Sequence, residues 1–377
     1  MGGRHAAGPV TEHLTTTIIA ACRSGLAPER LKAEVLGRLR RLVPVDAVWW
    51  ATADPATLLF TQAYREGLPA DTTPYFVDNE FLSDDVNKWT ELAADRGGVR
   101  TLWQATGGQP EASGRYRELF QPLGMGDELR VVLRSGGACW GLMCLHRAAG
   151  RPFTEAEASY VGRLAPYLAE GLRAGLLVAS LERGPEGAEL ADAPGLVVLA
   201  SDGTPVAITD AAQGWLAELG QQPSEPLPEE VYAVAARLRR AGLDPGGSVP
   251  RLRVRTRAGR WVSLHASWLP AGEGQPDQVA VILQPAAPVE VAPVIMRAYG
   301  LSEQERVVTG LVCQGLSTGQ IAARLVVSGY TVQDHLKSVF DKTGVRSRRE
   351  LVATILRQHY LPQAKQGRPV GLTGFFA

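Results

Sequence analysis

The chain has 377 residues, 45% of them apolar, which is ordinary for a globular protein and long enough for two or three domains. Lys plus Arg and Asp plus Glu both number 39, so composition alone does not single out a nucleic-acid partner. The four cysteines (Cys22, Cys139, Cys144, Cys313) have no paired spacing and no apolar run approaches 18 residues, which argues against a disulfide framework and a membrane span. With no secretory leader pattern, a reduced cytoplasmic protein without a membrane partner is expected.

In chain order, residues 1–10 carry Gly and Pro without periodicity and are expected to be unstructured. A helical pattern runs from Thr15 to Arg23 and again from Glu29 to Leu42, where Leu31, Val35, Leu36, Leu39 and Leu42 form a stripe behind Pro28. Val45–Thr52 and Leu58–Tyr64 read as strands. Trp49 and Trp50 point to opposite faces of the first; one is expected in a core, and for the other core packing is favoured over lining a pocket. Residues 65–115 have no clear period, and Arg115–Phe120 reads as helix. Glu128–Leu133 and Cys139–His146 form a hairpin across Gly136-Gly137, and a long amphipathic helix runs from Thr154 to Leu181. Helix, strands, mixed insert, strands, helix is an order that resembles a GAF domain, a small α/β sensor module. The stretches Gly126–Arg130, Gly141–Arg147 and Pro152–Glu155 are similar to versions of that module.

Residues 182–194 are polar with Gly and Pro and read as a linker. Two strands (Gly195–Ala200, Pro205–Thr209), helices near 210–219 and 229–241, then three strands through 252–256, 262–268 and 279–283 follow. That order resembles a PAS domain. Arg251, Arg253, Arg255 and Arg257 alternate with Leu252, Val254 and Thr256. The stripe is expected to be a solvated strand face rather than a nucleic-acid contact. Residues 285–296 are a Pro/Ala/Val-rich stretch expected to be a stiff linker.

The last part carries the sharpest signals. Residues 296–377 hold 11 Lys and Arg against 5 Asp and Glu, a net +6, which leaves −6 on residues 1–295. Such asymmetry points to nucleic acid at one end. Ser302 with Glu305, Ser317 with Gln320 and Ser347 with Glu350 are capping boxes, Ser328 opens a further helix, and Gly315 and Gly344 sit where helices end. Helices are thus predicted over 302–314, 317–325, 328–342 and 347–358. The third buries Val332, Leu336, Val339 and Phe340 and turns Gln333, Asp334, Lys337, Ser338 and Asp341 outward. The link Val326–Val327 joins the second and third as a helix-turn-helix.

The anchors L-S-x-x-E at 301–305, G-L-S at 315–317, I-A at 321–322, S-x-x-T-V at 328–332, His335, Lys342, G-V at 344–345 and S-R at 347–348 resemble the LuxR-type (GerE-type) DNA-binding domain of bacterial regulators. The resemblance implies a multidomain chain. A GAF-like α/β domain at 12–181 and a PAS-like α+β domain at 195–284 would precede linker 285–296, an all-α four-helix LuxR-type domain at 297–360, and a mobile tail at 361–377. It further implies that Gln333, Asp334 and Lys337 read base edges, while Ser328, Thr331, Lys342, Arg346, Ser347 and Arg348 hold the backbone. Many members carry Lys and an apolar residue where this chain has Gln333 and Asp334, so the target sequence should differ. His335 is expected to make a structural hydrogen bond.

The expected partners are double-stranded DNA and a second copy of the chain. A small-molecule effector of unknown identity and RNA polymerase are further candidates, and no cofactor is expected. An enzyme is the alternative from another class, and a DNA-inactive interaction protein a second. Gly124-Met125-Gly126 leads into a strand, not a helix, and no Walker A or G-x-S-x-G sequence occurs. Cys144 and His146 share a strand face but lack the further ligands a metal requires.

Overall fold

The computed structural model describes residues 9–181, 193–222, 225–243, 250–270 and 277–355. The expected tail 361–377, most of the expected linker 182–194 and residues 1–8 lie outside them. The chain divides into two compact units, Met1–Pro285 and Ala286–Ala377.

The first unit opens with α1 (Pro9–Arg23) and α2 (Pro28–Leu39), then β1 (Ala47–Ala53) and β2 (Phe60–Glu66). The stretch without sequence period holds three short helices, α3 (Thr73–Phe81), α4 (Trp89–Ala94) and α5 (Leu102–Ala105), and a three-residue strand, β3 (Val99–Thr101). The hairpin of β4 (Met125–Ser135) and β5 (Ala138–Ala148) and the long α6 (Glu155–Leu181) follow. All strands pair antiparallel, in the order β2-β1-β5-β4-β3. Both faces of this sheet are covered, so β5 is buried over nine consecutive residues instead of alternating. For the same reason Trp49 and Trp50, on opposite faces, are both core residues, as core packing predicts. Helices α1, α2 and α6 pack closely through small residues. A Cβ added at Gly171 would meet Leu31 Cδ2 at 2.7 Å and Cys22 Cα at 3.0 Å.

The second sheet is built from β6 (Gly195–Leu199), β7 (Pro205–Ile208), β8 (Arg251–Arg255), β9 (Trp261–Leu269) and β10 (Gln278–Pro285), in the order β7-β6-β10-β9-β8. Helices α7 (Asp210–Leu219) and α8 (Glu229–Leu243) come between β7 and β8. The element orders expected of GAF-like and PAS-like domains are the orders found.

Helix α8 explains why the two sheets form one unit. Val231 to Ala236 are all buried, so no side of the helix faces water there. It packs on α3 and β2 of the first domain and on β8, β9 and β10 of the second. Polar links stitch the same seam. Arg239 pairs with Asp78 at 2.6 Å and Arg253 with Asp54 at 2.8 Å. Arg255 donates to the Ala179 carbonyl and accepts at its own carbonyl from Gln62 Nε2 at 2.6 Å. The arginine stripe is therefore solvated only at its ends: Arg251 and Arg257 are exposed, whereas Arg253 and Arg255 are half-buried in the seam. Arg253 is only 10% exposed because the first domain supplies buried Asp54 opposite it.

The second unit begins with α9 (Pro288–Ala298), a helix in most of the stretch expected as linker 285–296. Pro288 at its start has no amide to leave unsatisfied, and Glu290 accepts from the Ala287 N–H at 2.9 Å. Helices α10 (Glu303–Cys313), α11 (Thr318–Leu325) and α12 (Gly329–Thr343) and a helical run over 348–355 complete it.

Candidate nucleic-acid interface

The serine punctuation of the second unit works as read. Ser302 and Ser317 cap α10 and α11 with reciprocal bonds to Glu305 and Gln320. Ser328 Oγ accepts from the Thr331 N–H at 3.0 Å and lies 2.9 Å from the Thr331 hydroxyl. Ser347 Oγ accepts from the Glu350 N–H at 3.2 Å, and Glu350 accepts from the Arg346 N–H at 2.7 Å.

The stripes converge on one small core of Val308, Leu311, Val312, Ile321, Val332, Leu336, Val339, Leu351 and Ile355. Val307 of α10 stays outside this core. It is 41% exposed, and Glu305 and Thr309 take the inward positions. The turn between α11 and α12 is tight. Val326 ends α11 in the left-handed region, φ +56° and ψ +48°, an uncommon place for a β-branched residue.

This frame leaves one face of α12 polar and open. Thr331, Gln333, Asp334 and Lys337 are exposed, and Gln333, Asp334 and Lys337 bond to nothing among the described residues. Tyr330, 82% exposed at the start of the helix, shares the end where the cap Ser328 sits. Sequence reasoning passed over Tyr330, and also over the exposed Arg324 at the end of α11 and Arg349 beside Arg348. Their signal, a bulky or basic side chain flanking the turn, was present. His335 is half-buried, and among the described residues its ring makes no hydrogen bond, so the expected structural bond is not seen.

The expected backbone-holding set divides. Arg346 is exposed. Arg348 is half-buried, with Nε and Nη2 enclosed and without a partner among the described residues. Lys342 differs most from expectation. Its ammonium donates to both carboxylate oxygens of Glu305, at 2.7 and 2.9 Å. Ser338 Oγ donates to the same carboxylate at 2.7 Å, and the Ser302 N–H at 2.6 Å. Burial alone would raise the Glu305 carboxyl, but these donors outweigh it and hold its pKa at about 2. Lys342 is thus a tie between α12 and the cap of α10. Sequence spacing could not show this, because 37 residues separate the partners.

The first unit holds a second charged cluster, fully buried. Glu128, Cys144 and His146 bring ligand atoms within 4.8 Å of one another, so a third candidate ligand does join the pair seen in sequence. The carboxylate is already spent, however. Arg115 donates to it at 2.8 Å and Arg130 at 3.0 Å, and Arg130 also pairs with Glu80 at 2.7 Å. Burial would raise Glu128, yet the two guanidinium charges hold it at about 2; burial lowers His146 to about 4 and keeps it neutral. Two fixed cations beside the donors oppose a third, so the cluster serves as a charged core.

Two short helices about a tight turn, the second with an open polar face and basic residues beside it, define a helix-turn-helix domain of the DNA-binding kind. The comparisons agree. The family of bacterial regulatory proteins, luxR family, matches residues 300–355. The spore germination protein GerE of Bacillus subtilis is 37% identical over 57 residues, which are 15% of this chain and 77% of that protein. The transcriptional regulator MalT of Vibrio cholerae is 36% identical over 62 residues, 16% of this chain but 7% of that protein. The chain belongs to the LuxR family of bacterial regulatory proteins. Among solved structures, Escherichia coli SdiA shares 12% identity at a TM-score of 0.33, covering 93% of this chain and 98% of that one. A GAF domain from an Acinetobacter phosphotransferase also shares 12%, at 0.32, covering 44% and 94%. At these scores the two likenesses add nothing to the assignment. Among the described residues no helix is long and apolar enough to cross a membrane.

Proposed function

We propose that this protein is a one-component transcription regulator that binds double-stranded DNA through α12 and senses a signal through its first unit. The observation that carries the reading is the open face of α12. Gln333, Asp334 and Lys337 stand exposed and unpaired in a LuxR-family helix-turn-helix. In a major groove, Gln333 would bond adenine, Asp334 would accept from a cytosine amine, and Lys337 would reach guanine. Ser328, Thr331, Arg346, Ser347 and Arg348, with Tyr330 and Arg324, would follow the phosphates. Lys342 contributes first to the fold and to DNA only through its remaining N–H.

One such module covers on the order of 600–1,000 Å² of DNA-facing surface, and specific binding ordinarily takes two. The protein would therefore act as a homodimer on half-sites about one helical turn apart. An effector and a contact with RNA polymerase fit a regulator of this plan, in the cytoplasm and at the nucleoid. A mobility-shift titration against the DNA upstream of its own coding region tests the reading. Specific retardation that survives excess unrelated DNA is expected. Retardation no stronger than with unrelated DNA, across that region and a random-sequence selection, would refute it.

A further inference from the structure

The seam between the two sheets of the first unit holds a cavity of about 300 Å³. Lys32 of α2, Gln62 and Arg65 of β2, Thr73 of α3, and Glu229 and Glu230 of α8 are among the residues that line it. A bulge opens β2 at this point. Trp50 pairs with Tyr64 and Thr52 with Thr61, so Gln62 and Ala63 both stand opposite Ala51. Gln62 has φ +42°, a left-handed conformation that few residues other than glycine adopt. Its backbone is thereby turned to the seam. The Gln62 N–H donates to Glu230 Oε1 at 2.7 Å, and its carbonyl accepts from Lys32 Nζ at 2.6 Å.

The charged side chains here are not equally satisfied. Glu229 is fully engaged, with Arg65 on one oxygen and Trp49 Nε1 on the other at 2.8 Å. Lys32 is 1% exposed, yet among the described residues that single carbonyl is its only hydrogen-bond partner and no carboxylate lies within salt-bridge distance. Glu230 is 5% exposed, takes the Gln62 N–H, and among the described residues has no cation within salt-bridge distance. Burial lowers Lys32 to about 8 despite the nearby carboxylates of Glu29, Glu230 and Glu229, and raises Glu230 to about 7 despite its backbone donors and Lys32. The buried cluster around Glu128 is the contrast, since every charge there is paired. A buried ammonium with two N–H bonds to give and a carboxyl with a free oxygen are costly to leave so. Both face a cavity of the size that holds a small molecule.

We propose that this cavity binds a small zwitterion of the α-amino-acid class, its carboxylate on Lys32 and its ammonium on Glu230. The two protein charges are anchored on the carbonyl and amide of one residue, Gln62. A ligand with opposite charges at similar spacing satisfies both at once. It would also bridge the two domains, since Lys32 belongs to one and Glu230 to the other. This assignment of a ligand rests on reading the first unit as the sensory part of the regulator.

Calorimetric titration of the full-length protein, without DNA, against the common amino acids in small pools tests it. Matched carboxylic acids without the amine, and amines without the acid, are the controls. Saturable binding of at least one amino acid is expected, with both controls much weaker. Glu230→Gln keeps an acceptor for the Gln62 N–H and should melt as the parent does. It should weaken binding about tenfold to a hundredfold, the worth of one charged hydrogen bond. Lys32→Met should do the same. No heat from any pool, equal binding of an acid that lacks the amine, or unchanged affinity in Glu230→Gln would each overturn the proposal. Because no DNA is present, failure here leaves the mobility-shift result standing, and failure of that result leaves this one standing.

Discussion

Glu305→Gln tests whether α12 is held in place by a carboxylate under its C-terminal half. The substitution keeps the side chain's shape and removes its charge. In the parent, Glu305 takes the Lys342 ammonium on both oxygens, the Ser338 hydroxyl, and the Ser302 N–H. These donors depress the carboxyl from 4.5 to about 2 against the opposing effect of burial. At full weight such a drop is worth about 3 kcal/mol. The Lys342 side chain is 37% exposed, so water screens the pair, and a loss of ~1–2 kcal/mol is the expected outcome. Hydrogen exchange of peptides from α10 and α12, read by mass spectrometry at neutral pH, should then quicken by roughly five- to thirtyfold. Exchange in the first unit should not change. Because the folded pKa lies below the unfolded one, this stabilisation is complete above about pH 4.5 and is lost as pH falls towards about 2. Parent protein should lose it in that window, and Glu305→Gln should not. Lys342→Met should resemble Glu305→Gln, and the double variant should cost less than the two singles together. Unchanged exchange in α12, or strictly additive losses, would refute the reasoning and return Lys342 to the DNA surface.

Further outcomes follow from the same unit. Lys337→Ala should lose about 1–3 kcal/mol of discrimination at one base position in a binding-site selection, with its melting unaltered. Arg346→Ala should weaken binding to all sequences alike and flatten the slope of log K against log salt by about one, measured by fluorescence anisotropy. Leu336→Ala, 6% exposed in the parent, is the contrast and should destabilise the module by roughly 2–5 kcal/mol in urea. Val326→Asn should do the opposite and stabilise it by about 1 kcal/mol, since asparagine tolerates the left-handed turn that a β-branched residue does not.

Much of this molecule is local, and local chemistry is legible in order along the chain. Ser302, Ser317, Ser328 and Ser347 mark helix starts because a serine cap acts on an amide three residues away. The face of α12 follows from a period of 3.6 residues, which puts Gln333, Asp334 and Lys337 outside once Val332, Leu336 and Val339 are inside. The same periods placed the β4–β5 hairpin and the helices before and after it. What the tertiary structure decided lies between residues far apart. Lys342 reads as a surface cation until Glu305 is folded beneath it. Arg253 and Arg255 of β8 read as part of a wet face until Asp54 and the Ala179 carbonyl arrive from the first domain. Trp49 and Trp50 are both buried because two layers of helices, not one, cover β1. Lys32 and Glu230 are about two hundred residues apart and share no pattern that a period could reveal. Only the packing of α8 against β2 brings them to one cavity. The cost of burying a charge depends on its neighbours in space, and sequence order names only the neighbours along the chain.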